Sequence, residues 1–128
     1  MLKIVYLLAG GALGSLLRYG ISGLTHKYIS GLFPWGTLMV NATGALIIGF
    51  LWGLFEQKGI SPNMRMFIFV GLLGGYTTFS TYALESMNLF RSGDTKMAII
   101  NLLANNLLAI AAVFAGYFLI RFLIVNLK

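Results

Sequence analysis

The segment that decides the fold is Gly74-Gly75-Tyr76-Thr77-Thr78-Phe79-Ser80-Thr81-Tyr82, which reads GGYTTFSTY. Six of its nine residues carry a hydroxyl, yet MFIFVGLL precedes it and ALESMNLF follows it. Unpaired backbone in hydrocarbon costs roughly several kcal/mol, so irregular structure occurs there only where protein or a cavity covers it. The segment therefore indicates a protected polar site between apolar helices.

The composition is typical of a membrane protein with one domain, residues 1–128. Of the 128 residues, 59% are hydrophobic and 9% are charged, whereas soluble domains carry about a quarter charged residues. The absence of cysteine excludes a disulfide framework and thiolate metal sites. The nine Lys and Arg residues are scattered between apolar runs, which favours membrane flanks over a nucleic-acid surface. The single His26 has no acidic residue near it in sequence, so an enzyme is disfavoured.

Four apolar segments predict an all-α protein with transmembrane helices near residues 4–24, 36–55, 65–90 and 97–125. The first segment is too long for a signal peptide, so we interpret it as a retained span. Gly74 and Gly75 lie inside the third segment and predict that this helix is broken near its middle. Freed carbonyl groups at such a break can coordinate a small cation, and the restarted helix is electropositive at its N-terminus.

The basic residues are almost evenly divided between the two membrane sides. The side with both termini and the second connection carries Lys3, Lys58, Arg65 and Lys128. The opposite side carries Lys27, Arg91 and Lys96. Under the positive-inside rule, four basic residues on one side against three on the other hardly select an orientation. Either other features of the chain determine its orientation in the membrane, with a weak bias from charge, or the chain inserts in both orientations and forms an antiparallel dual-topology homodimer.

Polar residues recur on two further spans at helical spacing. Thr37 and Asn41 share one face of the second span, and Asn101 and Asn105 share one face of the fourth. Each side chain either joins helices by hydrogen bonds or lines an aqueous track. Arg18, inside the first span, either reaches the membrane surface or places positive potential at a pore mouth.

The aromatic residues Phe79 and Tyr82 are three apart and project to one side of the restarted helix. Aromatic ring edges carry partial positive charge, so inward-facing edges can steady a dehydrated anion. Glu85 follows about one turn later as the single acidic residue in the interior of a span. It can cap a helix, pair with a basic residue or line a vestibule.

In this order and spacing, the motifs resemble the Fluc (CrcB) family of bacterial fluoride channels over nearly the whole chain. The matching motifs are Gly10-Gly11-x-x-Gly14-x-x-x-Arg18-Tyr19, Gly36-Thr37-x-x-Val40-Asn41 and Gly71-x-x-Gly74-Gly75-x-Thr77-Thr78-Phe79-Ser80-Thr81, with Glu85 following. The resemblance implies a multi-pass protein of the bacterial inner membrane, present as an antiparallel homodimer with two pores. The resemblance further implies that these pores conduct fluoride passively out of the cytoplasm and that the protein is not an enzyme.

The resemblance also implies the site residues. The anion pathway is expected to include Asn41, Phe79, Tyr82, Ser80, Thr37, Asn105 and Arg18. A structural sodium ion, which is not transported, is expected at the dimer centre on the backbone carbonyls of Gly74 and Thr77. The lipid bilayer and a second copy of the chain are the expected partners, together with fluoride and without nucleic acid.

Two departures from the family pattern are present. Tyr82 stands where the family usually has Phe, and its hydroxyl either hydrogen-bonds fluoride or fills part of the pore. In the fourth span, Asn101 and Asn105 stand where the family usually has other polar residues. Ala109 stands where the family has a polar residue later in the same span. The rival interpretations are a small proton-coupled multidrug exporter, which needs a protonatable carboxylate at mid-membrane, and a membrane assembly subunit that transports nothing.

Overall fold

The computed structural model describes residues 1–126, and over that range the chain is helical apart from short connections. The elements are α1 (Leu2–Tyr28), α2 (Trp35–Lys58), α3 (Pro62–Arg65), a π-helix π1 (Met66–Leu73), α4 (Gly74–Tyr76), α5 (Phe79–Arg91) and α6 (Thr95–Asn126). Within residues 1–126, four helical units are long and apolar enough to cross a membrane: α1, α2, the joined stretch Pro62–Arg91, and α6. The prediction of an all-helical chain with four apolar spans is confirmed.

Local chemistry explains where the second span ends and the third begins. After Lys58, Gly59 adopts φ +73°, a conformation that a side chain disfavours, and the helix stops. The Ser61 hydroxyl then accepts a hydrogen bond from the Met64 N–H at 3.3 Å and caps α3. Pro62 occupies the first helical turn, where a missing N–H costs nothing. The turn and the cap place the third span beside the first two.

Two close helix contacts form the framework, α1 against π1 and α4, and α2 against α6. A Cβ atom on Gly14 of α1 would overlap the carbonyl oxygen of Leu72. A Cβ atom on Gly116 of α6 would overlap the carbonyl oxygen of Leu46 on α2. Helix backbones that touch in this way gain dispersion contacts, which drive association where lipid removes the hydrophobic effect.

The outer surfaces of α1 and α6 are apolar and largely uncovered by the rest of the chain. Only 11% of the most apolar window of each helix is buried. Leu16 of α1 and Phe122 of α6 are typical, at 67% and 66% exposed. Such surfaces are stable against lipid or against another protein, as is typical of helices that span a membrane.

Gly74 and Gly75, which suggested a break in the third span, are themselves helical, and the non-helical residues follow them. Gly74 has helical dihedrals, φ −65° and ψ −36°, and helical structure runs on to Tyr76. Gly75 is needed for packing, because a Cβ there would lie 2.8 Å from the Gly11 carbonyl oxygen. The extended residues are instead Thr77 (φ −82°, ψ 158°) and Thr78 (φ −149°, ψ 122°).

We predict that Gly14→Ala destabilises the protein, whereas Gly20→Ala on the same helix does not. At Gly14 the new methyl group has no room, and forcing it in costs about 1–3 kcal/mol. At Gly20 nothing lies within 4 Å of the new Cβ atom, and alanine favours the helix. Thermal unfolding of the detergent-solubilised variants measures the difference. Equal melting temperatures would contradict the close contact between α1 and the third span.

Candidate functional site

The extended residues of the third span are held by one side chain of α2. The Asn41 Oδ1 atom accepts from the Thr78 N–H at 2.8 Å, and its Nδ2 atom donates to the Thr78 carbonyl oxygen at 3.0 Å. Both backbone groups of Thr78 are therefore satisfied by a single amide, as a neighbouring strand would satisfy them. This pair of hydrogen bonds allows an extended residue to exist between apolar helices.

The extended residues leave several backbone carbonyl groups, among them those of Gly74 and Thr77, without their ordinary helical partners. In a continuous helix the Gly74 carbonyl would accept from the Thr78 N–H, and the Thr77 carbonyl from the Thr81 N–H. Instead, the Thr78 N–H donates to Asn41, and the Thr81 N–H donates to the Thr78 hydroxyl at 3.3 Å. Within residues 1–126 neither helical bond forms. Gly74 is exposed and Thr77 is half-buried, and both residues line one groove.

A chain of asparagines continues from this junction into the bundle. Asn41 Nδ2 donates to Asn105 Oδ1 at 2.8 Å, and Asn105 Nδ2 donates to Asn101 Oδ1 at 2.8 Å and to the Asn101 carbonyl at 3.1 Å. Asn101 Nδ2 donates to Ser86 Oγ at 2.9 Å and to the Tyr82 carbonyl at 3.4 Å. The network ties α2, α5 and α6 together.

The direction of every bond in this chain is set at Thr78. Its N–H can only donate and its carbonyl can only accept, so the Asn41 amide has one possible orientation. Asn41 therefore presents hydrogens to Asn105, and Asn105 in turn presents hydrogens to Asn101. All amide hydrogens of the three asparagines have acceptors inside the protein. In this conformation these side chains join helices, one of the two roles that the sequence left open.

The first groove, of about 370 Å³, lies beside the network and is bounded by α2, π1, α4, α5 and α6. Phe79 and Tyr82 line it with their rings perpendicular, 4.9 Å between centroids at 89°. Phe79 is 73% exposed, whereas Tyr82 is 6% exposed. Asn41 and Asn105 line the same groove. The space thus combines aromatic walls with a polar base.

The second groove, of about 390 Å³, shares one lining residue, Thr78, with the first. Arg18 of α1 and Thr37 of α2 line this second groove, together with Thr81. The guanidinium of Arg18 brings positive charge to the space and makes it attractive to anions. The two grooves approach the same extended segment from different parts of the bundle.

Glu85 forms a polar contact beside the second groove. The Thr37 hydroxyl donates to Glu85 Oε1 at 2.7 Å. The second carboxylate oxygen, Oε2, is buried and has no hydrogen-bond partner among residues 1–126. The carboxylate thus joins α2 and α5 through one oxygen.

Most of the predicted site residues lie around these two spaces. The first groove contains Asn41, Phe79, Tyr82, Asn105, Gly74 and Thr77. The second contains Arg18 and Thr37. Ser80 is exposed and lines neither groove in the described part of the chain.

The sequence did not single out Ser86 or Asn106 as site residues. Ser86 is buried, at 2% exposed, and its hydroxyl donates to the Tyr82 carbonyl at 2.8 Å. Asn106 lines the first groove and donates to the Tyr82 hydroxyl at 3.3 Å. Ser86 lies four residues after Tyr82, and this helical spacing is the sequence signal that could have placed the two residues side by side. No pattern along the chain pairs Asn106 with Tyr82.

A family model and several known proteins are similar to this chain over most of its length. The family model described as CrcB-like protein, Camphor Resistance (CrcB), matches residues 5–117. A protein of Parabacteroides distasonis is 45% identical over 128 residues, the whole length of both chains. A Maridesulfovibrio salexigens protein is 43% identical over 125 residues, 97% of this chain and 99% of its own length. A Salinibacter ruber protein is 44% identical over 116 residues, 91% of this chain and 87% of its own. Each of the three is named fluoride-specific ion channel FluC.

Proposed function

The chain is a multi-pass bacterial membrane protein that belongs to the CrcB-like family, and we propose that it is a fluoride-specific ion channel. As such it would not be an enzyme: it would let fluoride leave the cytoplasm down its electrochemical gradient. The observation that carries this proposal is the position of the first groove. It lies beside a polar network inside an otherwise apolar bundle, and polar side chains inside membrane proteins commonly mark ion pathways.

The groove offers what a small anion needs once its water shell is removed. Fluoride is strongly hydrated, so a pore must supply polar hydrogens or other positive groups in place of water. Phe79 and Tyr82 bring aromatic ring edges, whose partial charge is positive. Arg18 gives the second groove a positive potential that would concentrate anions near Thr78. Several weak contacts of this kind favour both binding and release.

We propose that the working unit is an antiparallel, dual-topology homodimer with two pores. The chain leaves Phe79 73% exposed beside the first groove, so a second copy would complete the wall that one copy leaves open. Nearly balanced basic residues on the two sides are compatible with insertion in both orientations. Two copies related in this way would form one pore around each copy's groove.

We also propose that the third span acts as a broken helix that holds a structural sodium ion at the dimer centre. The Gly74 and Thr77 carbonyls lack their ordinary helical partners, and carbonyl oxygens are ligands that hard cations prefer. Within residues 1–126 no three His, Cys, Asp or Glu side chains are grouped to bind a metal. Backbone oxygens from two copies would therefore supply the site, and the ion would fix the two copies together.

The rival interpretation as a proton-coupled exporter is less well supported. It needs a carboxylate at mid-membrane that binds and releases protons during transport. Glu85 is the single acidic residue in the interior of a predicted span, and the first span contains no acidic residue. An assembly subunit without transport would not need two grooves that share a polar lining residue.

We predict that liposomes containing only this protein release fluoride, and that Asn41→Asp and Phe79→Ile each slow release at least about tenfold. The aspartate would place a negative oxygen where Asn41 Nδ2 now donates, and the isoleucine would remove a ring edge. Asn88→Asp, on the exposed surface of α5, is the matched control. A fluoride electrode, with sodium present and a counter-ion pathway open, measures release. No release from the unsubstituted protein would contradict the channel.

We predict that reporters fused to the C-terminus give signals from both sides of the membrane. Gln57→Lys adds a positive charge next to the second connection, so it should shift molecules toward one orientation under the positive-inside rule. Gln57→Asn provides a control of unchanged charge. Signal from one side only, unaffected by the lysine, would contradict dual insertion.

A further inference from the structure

The side chain of Asn106 has a defined orientation in the first groove. Its Nδ2 atom lies 2.7 Å from the Leu102 carbonyl oxygen and 3.3 Å from the Tyr82 hydroxyl oxygen. A carbonyl oxygen can only accept, so the atom beside Leu102 must be the amide nitrogen and not the amide oxygen. The remaining hydrogen of this nitrogen is then directed at Tyr82.

It follows that the Tyr82 hydroxyl oxygen is an acceptor toward Asn106, and that its own hydrogen is available to another group. Other polar side chains around the groove have their hydrogens engaged. Thr77 Oγ1 donates to the Leu73 carbonyl at 2.9 Å, and Thr78 Oγ1 donates to Thr81 Oγ1 at 2.9 Å. The amide hydrogens of the asparagines are engaged as described above. Among groove-lining side chains of residues 1–126, the Tyr82 hydroxyl is left with a hydrogen that has no acceptor.

The surroundings make this hydrogen an effective donor. The Tyr82 ring is 6% exposed and lies perpendicular to Phe79, so its position is fixed by packing. A hydroxyl that accepts one hydrogen bond is polarised and donates a second one more strongly. A polar hydrogen without an acceptor in a largely apolar groove is unfavourable, and a small anion would satisfy it.

We propose that the Tyr82 hydroxyl donates a hydrogen bond to the anion in the first groove, and that Asn106 is the positioning residue that turns it there. This inference rests on the proposed function and assigns a ligand contact to the residue at which the chain departs from its family. Asn106 touches no anion itself. It acts by occupying the acceptor side of the tyrosine oxygen, which leaves the hydrogen to face the groove.

The test compares fluoride release across a range of fluoride concentrations for Tyr82→Phe, Asn106→Leu and the double variant. We expect the half-saturating concentration to rise about tenfold in each single variant, the effect of one hydrogen bond to a charged group. The double variant should be no worse than Tyr82→Phe, because Asn106 acts only through the hydroxyl. Tyr117→Phe is the control for the loss of a hydroxyl, since Tyr117 donates to Glu56 at a distance from the groove.

Asn106→Asp gives a second test, in which the side-chain volumes at positions 82 and 106 stay nearly unchanged. The carboxylate would accept the tyrosine hydrogen, turn it away from the groove and repel an anion there, so the half-saturating concentration should rise at least as much as in Tyr82→Phe. An unchanged half-saturating concentration in Tyr82→Phe or in Asn106→Asp, with normal release by the unsubstituted protein, would overturn this inference and leave the channel proposal intact. Additive effects in the double variant would overturn the positioning role of Asn106.

Discussion

The rest of the site depends on the pair of hydrogen bonds between the Asn41 amide and the backbone of Thr78. Thr77 and Thr78 are extended in a region where helices otherwise supply every backbone partner. Without Asn41, both backbone groups of Thr78 would be left without these partners, at a cost of roughly several kcal/mol. One side chain of α2 therefore satisfies the extended backbone that lies just before α5.

Several features follow from that constraint. Because Thr78 fixes the direction of the Asn41 amide, it also fixes the direction of the hydrogen bonds through Asn105 and Asn101. The start of α5 sets the positions of Phe79 and Tyr82, and so shapes the first groove. The asparagines rigidify the bundle rather than present free donors, which leaves the groove's chemistry to the aromatic residues and to the tyrosine hydroxyl.

The spans were predictable from the sequence because continuous apolar character is a strong and local signal. The position of the non-helical residues in the third span was harder to predict. Gly74 and Gly75 suggested that they would be the irregular residues, but the extended residues are Thr77 and Thr78. Glycine serves both for irregular backbone and for close helix contacts, and the sequence does not show which use applies. The contact between Asn106 and Tyr82 was not predictable either. It joins residues 24 apart on different helices, and its direction depends on the Leu102 carbonyl.

The most direct measurement of the central claim is amide hydrogen exchange at Thr78 in the reconstituted protein. With Asn41 in place, the Thr78 N–H is hydrogen-bonded inside the bundle and should exchange slowly. In Asn41→Leu it should exchange at least about tenfold faster, since that acceptor is gone, while amides of α1 remain protected. Equal protection of Thr78 in both proteins would contradict the claim that Asn41 holds the extended segment.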